Sequence, residues 1–178
     1  MKTVVLGVTA SVALYKACDL VRKLRAASFD VHVVMTPEAR TLIHPSLFGS
    51  LSGNRVYHEL FSEPQVWEIE HISLAERADL LLIAPATANI IAKCAAGICD
   101  DLLSCLVMAT RAPVVICPAM NDNMYNHAVT QENVDKLRKL GYTFIGPEKG
   151  ELACGKQGIG RFCDPAAIVQ EVKRVLCR

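Results

Sequence analysis

The chain has almost no excess charge. Its 19 Lys and Arg against 18 Asp and Glu leave a formal +1 over 178 residues, so bulk charge points to neither a nucleic acid nor an anionic membrane. No apolar run approaches the roughly 20 residues of a membrane span. The N-terminal M-K-T-V-V-L-G-V-T has the charge-then-apolar order of a secretory leader, but Lys16, Asp19 and Arg22 follow too soon, and a leader is not expected. The 8 cysteines (Cys18, Cys94, Cys99, Cys105, Cys117, Cys154, Cys163 and Cys177) include no C-x-x-C. That spacing argues against zinc and against a disulfide framework. Thiols lying in apolar segments read as buried, free and kept reduced in a cytoplasmic setting. No repeat or low-complexity linker divides the chain, so one domain over residues 1–178 is expected. The dinucleotide fingerprint G-x-G-x-x-G is missing as well. Only Gly7 stands in the first turn, and Thr36 occupies the place of the acidic residue after the second strand, so the first turn suits a mononucleotide phosphate better than NAD.

What the chain does have is apolar character, 52% hydrophobic against 21% charged, which suits a parallel sheet covered on both faces or surface buried between subunits. Thr3 to Val8 reads as a buried strand, followed by the turn Gly7-Val8-Thr9-Ala10-Ser11 and a helix to about Ala26 with Ser11 as its N-cap. The free N–H groups of that helix start form an anion site, although capping alone also accounts for Thr9 and Ser11. Val31 to Met35 is a second strand, and Thr36-Pro37-Glu38 opens a helix. A short helix at Pro45 to Leu51, a minor strand near Arg55 to Tyr57 and a loop from Ser62 to Glu70 follow. Further on come helices at Ile90 to Ala96 and Leu102 to Ala109, a strand at Pro113 to Cys117, a helix at Val129 to Leu140 and a strand at Tyr142 to Ile145. Asp164-Pro165 opens the last helix. The alternation of strands and helices predicts a doubly wound α/β domain with a parallel sheet.

The chain is organised around His71 to Asn89, H-I-S-L-A-E-R-A-D-L-L-L-I-A-P-A-T-A-N. Leu80 to Ala84 is apolar throughout and reads as a strand buried on both faces, ended by Pro85. Thr87 and Asn89 leave its carboxyl end, where ligands bind in open α/β sheets. Three more polar groups stand out. His71 can be a helix cap or a base. Asn121, after the strand at Pro113 to Cys117, can close a turn or hold a ligand. Cys154 lies in a long glycine-rich segment, Gly146 to Asp164, where an exposed thiol can act as acid or nucleophile.

Four ordered motifs carry a resemblance. H-I-x-L-A-x-x-A-D, A-P-A-T-A-N, P-A-M-N-x-x-M-Y and A-C-G-x-x-G-x-G-R together resemble the homo-oligomeric flavin-containing cysteine decarboxylases, from the first strand to Arg161. The resemblance implies a Rossmann-like domain that binds FMN without a covalent bond, at a contact between subunits of a trimer or a dodecamer of trimers. It assigns flavin contacts to Ala10, Ser11, Val12, Thr36, Glu38, Thr87, Ala88, Asn89 and Ala119. It assigns catalysis to His71, substrate carboxylate binding to Asn121 and the proton-donating thiol to Cys154. The chain departs from the commoner family pattern at Ala10 (often Gly), Ser73 (Glu), Ile90 (Thr) and Tyr125 (Trp), which bears on the finer flavin contacts. The second, ligase domain of many bacterial relatives is not in this sequence, so another protein is expected to supply the preceding step.

The implied reaction is loss of CO2 from an N-acyl cysteine, with phosphopantothenoylcysteine as the expected small-molecule substrate. Direct loss would leave an unstabilised carbanion. Oxidation to a thioaldehyde places C=S β to the carboxylate, and the ene-thiol formed on decarboxylation is then reduced to the product thiol. A peptide C-terminal cysteine as substrate, a non-catalytic FMN-binding regulatory subunit and an FMN electron carrier are the competing expectations.

Overall fold

A computed structural model of the chain describes residues 1–60, 70–153 and 155–177, with the side chains of Glu70 and His71 outside that description. In chain order the elements are β1 (Thr3–Val8), a 3-10 turn (Val12–Leu14), α1 (Tyr15–Ala26), β2 (Asp30–Met35), α2 (Pro37–Leu42), α3 (Pro45–Ser52), β3 (Val56–Tyr57) and α4 (Glu70–Arg77). There follow β4 (Leu80–Ala86), α5 (Ala88–Ala96), α6 (Leu102–Ala109), β5 (Val114–Pro118), α7 (Asp122–Asn126), α8 (Ala128–Lys139), β6 (Thr143–Phe144), β7 (Glu148–Glu151), β8 (Gln157–Arg161) and α9 (Pro165–Leu176).

Six strands form one parallel sheet in the order β3-β2-β1-β4-β5-β6. Successive strands step outward from β1 to β3, and the chain then returns to lay β4 on the other side of β1. That reversal opens a crevice at the carboxyl ends of β1 and β4, the place where such sheets bind ligands. Alternation along β4 explains why it is apolar at each position: Leu80, Leu82 and Ala84 enter one core with α1, α3 and α9, while Leu81 and Ile83 enter the other with α4, α5, α6 and α8. The expected doubly wound α/β sheet is the one observed.

The expectation that Pro85 ends the central strand is corrected, because β4 continues to Ala86. The register with β5 slips between Ile83 and Ala86, so the residue without an N–H falls at an irregularity where no ladder donor is required. The helix expected from Ser11 begins as a 3-10 turn capped by Ser11, with α1 proper starting at Tyr15. Gly146 to Asp164 is not a plain loop either. β7 and β8 pair antiparallel as a hairpin across most of it. The loop expected at Ser62 to Glu70, with Pro64 and Trp67, lies outside the described residues up to position 69, and Glu70 already belongs to α4.

Three of the described cysteines, Cys94, Cys117 and Cys163, are buried as expected, whereas Cys99 and Cys177 are exposed. No disulfide and no metal-binding cluster occurs among the described residues. None of the described helices is long and apolar enough to cross a membrane.

Candidate functional site

The turns after β1, β4 and β5 meet at the carboxyl edge of the sheet and are bonded to one another. Thr9 is buried at the end of β1; its Oγ1 donates to Pro85 O at 2.8 Å and accepts from Thr87 N at 3.1 Å. Ser11 Oγ donates to Ala119 O at 3.1 Å, and Ala119 N donates to Ala86 O at 3.0 Å. Each turn residue has a local reason for its conformation. Thr87 is the N-cap of α5, its hydroxyl accepting from Ile90 N at 3.4 Å, which leaves the N–H groups of Ala88 and Asn89 without a helical acceptor. Ser11 receives Ala13 N at 3.3 Å in the same manner.

Above these turns lies a cavity of about 940 Å³, at the upper end of the range of about 300–1,000 Å³ common for small-ligand sites. Ala10, Ser11, Val12, Thr87, Ala119 and Asn121 line it, six of the residues singled out in the sequence. Thr36, Glu38, Ala88 and Asn89 are not in its lining. Thr36 is buried beside the end of β1, its N–H on Val8 O at 3.1 Å and its hydroxyl capping α2. Glu38 and Asn89 are exposed in the first turns of α2 and α5.

Asn121 caps α7, its Oδ1 accepting from Asn123 N at 2.9 Å. That is the plain role the sequence allowed for it, and it fixes the amide at the cavity wall. Cys154 lies outside the described residues, but its chain neighbours Ala153 and Gly155 both line the cavity. His71 is in the first turn of α4. That helix ends just before β4 begins, so its first turn lies toward the carboxyl edge of the sheet. A polar cluster at the opposite edge holds its far end: Arg77 Nη2 is 3.2 Å from His32 Nε2, which is 3.0 Å from Asp30 Oδ2. Asn54 Nδ2 donates to Asp30 Oδ1 at 2.8 Å and to Val31 O at 2.9 Å.

The hairpin β7–β8 forms one wall. Met120 N donates to Gly160 O at 3.0 Å. Gly160 has φ +146°, and a Cβ there would come within 2.1 Å of Met120 O; a Cβ on Gly158 would come within 2.7 Å of Asp122 Cβ. Only glycine permits the hairpin to lie this close to the Met120–Asp122 backbone. Sequence reasoning did not single out Tyr15, Lys16, Met124 or Arg161, which also line the cavity. Arg161 closes a quoted motif, but nothing in its spacing marked it as a wall residue. The hydroxyl bridge of Thr9 has no sequence signature, since it joins residues 76 and 78 positions apart.

The arrangement offers hydroxyls and small side chains around the cavity, with the helix-start N–H groups of α5 beside it. That combination suits an anionic, partly aromatic ligand that needs close backbone approach. Comparison with known proteins agrees with this chemistry. The Flavoprotein family model matches residues 1–177. The coenzyme A biosynthesis bifunctional protein CoaBC of Bacillus subtilis is 45% identical over 169 residues, covering 95% of this chain and 42% of that protein; the chain thus spans less than half the length of the curated relatives it matches. Among solved structures, the FMN-dependent cysteine decarboxylase SpaF superposes with a TM-score of 0.84 at 30% identity, covering 98% of this chain and 97% of that one. A PPC decarboxylase variant complexed with pantothenoylaminoethenethiol superposes with a TM-score of 0.87 at 29% identity, covering 99% of both chains.

Proposed function

The chain belongs to the flavoprotein family, and from that premise we propose that it is an FMN-dependent decarboxylase. Its substrate is 4'-phospho-N-pantothenoyl-L-cysteine and its product 4'-phosphopantetheine, a step of coenzyme A biosynthesis. The observation that carries this reading is the cavity at the β1/β4 crevice, where Ser11, Thr87 and Asn121 converge beside the two chain neighbours of Cys154. The 45% identity to CoaBC supports the choice of substrate.

The residues present fit the flavin. Ala10, Ser11, Val12, Thr87 and Ala119 supply hydroxyls and small side chains, and the N–H groups opening α5 suit a phosphate or a ring carbonyl. Thr36, Glu38, Ala88 and Asn89 border the same sheet edge and complete the proposed contacts on motif alone. FMN, when bound, supplies a two-electron sink and source, so that CO2 leaves from a thioaldehyde and the ene-thiol is returned to a thiol. The chain's own residues do the rest. His71 orients and assists deprotonation of the substrate thiol, which with an ordinary pKa of about 8.5 is mostly protonated near neutrality. The Asn121 amide holds the carboxylate until it departs. Cys154 delivers the final proton.

Residues 1–178 act in this reading as one flavin-binding unit that works as a homo-oligomer, a trimer or a dodecamer of trimers, in the cytoplasm. Val12 and Tyr15, which are 71% and 63% exposed at the cavity rim, support completion of the site by a neighbouring copy.

Flavin-loaded protein mixed with phosphopantothenoylcysteine should release one CO2 per phosphopantetheine formed, followed by mass spectrometry. A peptide ending in cysteine, tested in parallel, should turn over far more slowly. The reverse preference would replace the substrate, and CO2 release from neither would remove the activity. Cys154→Ser should still release CO2 and accumulate the ene-thiol; normal product formation would strip Cys154 of its role.

A further inference from the structure

The corner between α5 and α6 holds thiols that the decarboxylation does not use. Cys94 lies in the last turns of α5, Cys99 in the corner and Cys105 in α6. Their surroundings differ. Cys94 is buried, and burial, reinforced by Asp101, pushes its thiol up to about 12, which leaves it protonated and inert. Cys99 is exposed and Cys105 half-buried. Cys105 Sγ donates to Cys99 O at 3.5 Å, while Cys99 Sγ donates to Ser104 O at 3.9 Å. Each sulfur therefore lies against backbone at the other's end of the corner.

The segment joining them is already fixed. Lys93 Nζ lies 2.7 Å from both Asp100 Oδ1 and Asp101 Oδ2, tying the corner to α5. Asp101 and Ser104 close a capping box at the start of α6. Little chain entropy remains to be lost in bringing the two sulfurs together. The other buried thiols, Cys117 and Cys163, are within the core and shielded from a water-borne oxidant.

We propose that Cys99 and Cys105 are a modification site, a dithiol that hydroperoxides convert reversibly into an intramolecular disulfide. The Cys99 sulfur takes one peroxide oxygen as the O–O bond breaks, giving a sulfenic acid and one water. The Cys105 sulfur then attacks the Cys99 sulfur: the S–S bond forms, the S–O bond breaks, and the hydroxyl leaves with the Cys105 proton as a second water. The dithiol loses two electrons and hydrogen peroxide gains them. Burial first, then Cys99 and Asp101, hold the Cys105 thiol above its ordinary value, so the exposed Cys99 is the sulfur attacked and Cys105 the one that resolves it.

Trypsin cuts after Lys93 and Arg111, which places Cys94, Cys99 and Cys105 on one peptide, residues 94–111. Flavin-loaded protein is treated with hydrogen peroxide, unfolded, labelled with N-ethylmaleimide and digested. That peptide should carry one label after peroxide in place of three, and three again if dithiothreitol precedes labelling. Cys99→Ser should keep two labels with or without peroxide, whereas Cys105→Ser should lose the Cys99 label as an unresolved sulfenic acid with no disulfide in the peptide, both at unchanged flavin content. Fragmentation of the wild-type peptide locates the bond even if a variant misfolds. Three labels persisting after peroxide, a label loss that survives in Cys99→Ser, a disulfide still found in the Cys105→Ser peptide, sulfinic acid at Cys99 of the wild type without a disulfide, or a bond found only between two chains would each overturn the proposal.

Discussion

Thr9 Oγ1 serves two backbone groups at once, the carbonyl of Pro85 and the N–H of Thr87. Replacing it with the isosteric valine orphans both in a buried place, which costs about 1–3 kcal/mol. Thr9→Val should therefore lower the urea midpoint and shed flavin on gel filtration, while Thr9→Ser retains both bonds and both properties. If the valine variant kept its flavin and its midpoint, the bridge would contribute nothing. Asp79 gives a residue-scale prediction in pH. Its carboxyl is held below the ordinary range by its bond to Lys2 and by the N–H of Thr3. The folded chain favours the charged form, so the contribution is present above the ordinary carboxylate value of about 3.9 and fades as pH falls through the lower folded value. Asp79→Asn should cost about 0.2–1 kcal/mol at pH 7, the scale of a partly exposed pair, and progressively less as the pH is lowered, as read by urea unfolding along a pH series. A loss that did not change along the series would refute the linkage.

The β7–β8 hairpin is the element on which the cavity wall depends, and one glycine governs how closely it can lie. Gly160→Ala would drive a methyl group into Met120 O, so the hairpin must move away from Asn121. Turnover should fall at least tenfold with far-ultraviolet circular dichroism unchanged; full activity would mean that the hairpin need not be seated. This element was the least legible in the sequence. Its strands read E-K-G-E and Q-G-I-G-R, with almost no apolar alternation to mark a period of two. α7 escaped for a similar reason, being five residues long and opened by an Asn that reads equally as a turn. The six-stranded sheet was legible because β1, β2, β4 and β5 are apolar runs buried on both faces, bounded by capping residues. The end of β4 was misplaced because proline does end a regular ladder, whereas here the register slips around it. Of the site, Ser11 was legible as a cap and Thr87 as a polar group leaving a strand end, while His71 and Cys154 stood out by position and took their catalytic roles only from the motif order. Partners distant in the chain, such as Thr9 with Pro85, leave no periodic trace.

At the scale of the molecule, the cavity proposed for the flavin lies on the sheet edge where the three turns meet, so its occupancy should be linked to stability. A ligand at 100 times its dissociation constant adds about 2.7 kcal/mol to the folded state. The melting temperature of flavin-stripped protein should therefore climb with added FMN and keep climbing logarithmically past saturation, as scanned by calorimetry. A flat response would indicate that FMN does not bind the folded chain. The bonds among the three turns carry a further consequence. Thr9 with Pro85 and Thr87, Ser11 with Ala119, and Ala119 with Ala86 form a closed circuit. Substitutions within it will not combine as independent losses, because the first break already releases what the second would have disturbed. Lineages altering this rim would accordingly change it by joint replacement, and a graft of one turn alone from a relative would fail where all three together succeed.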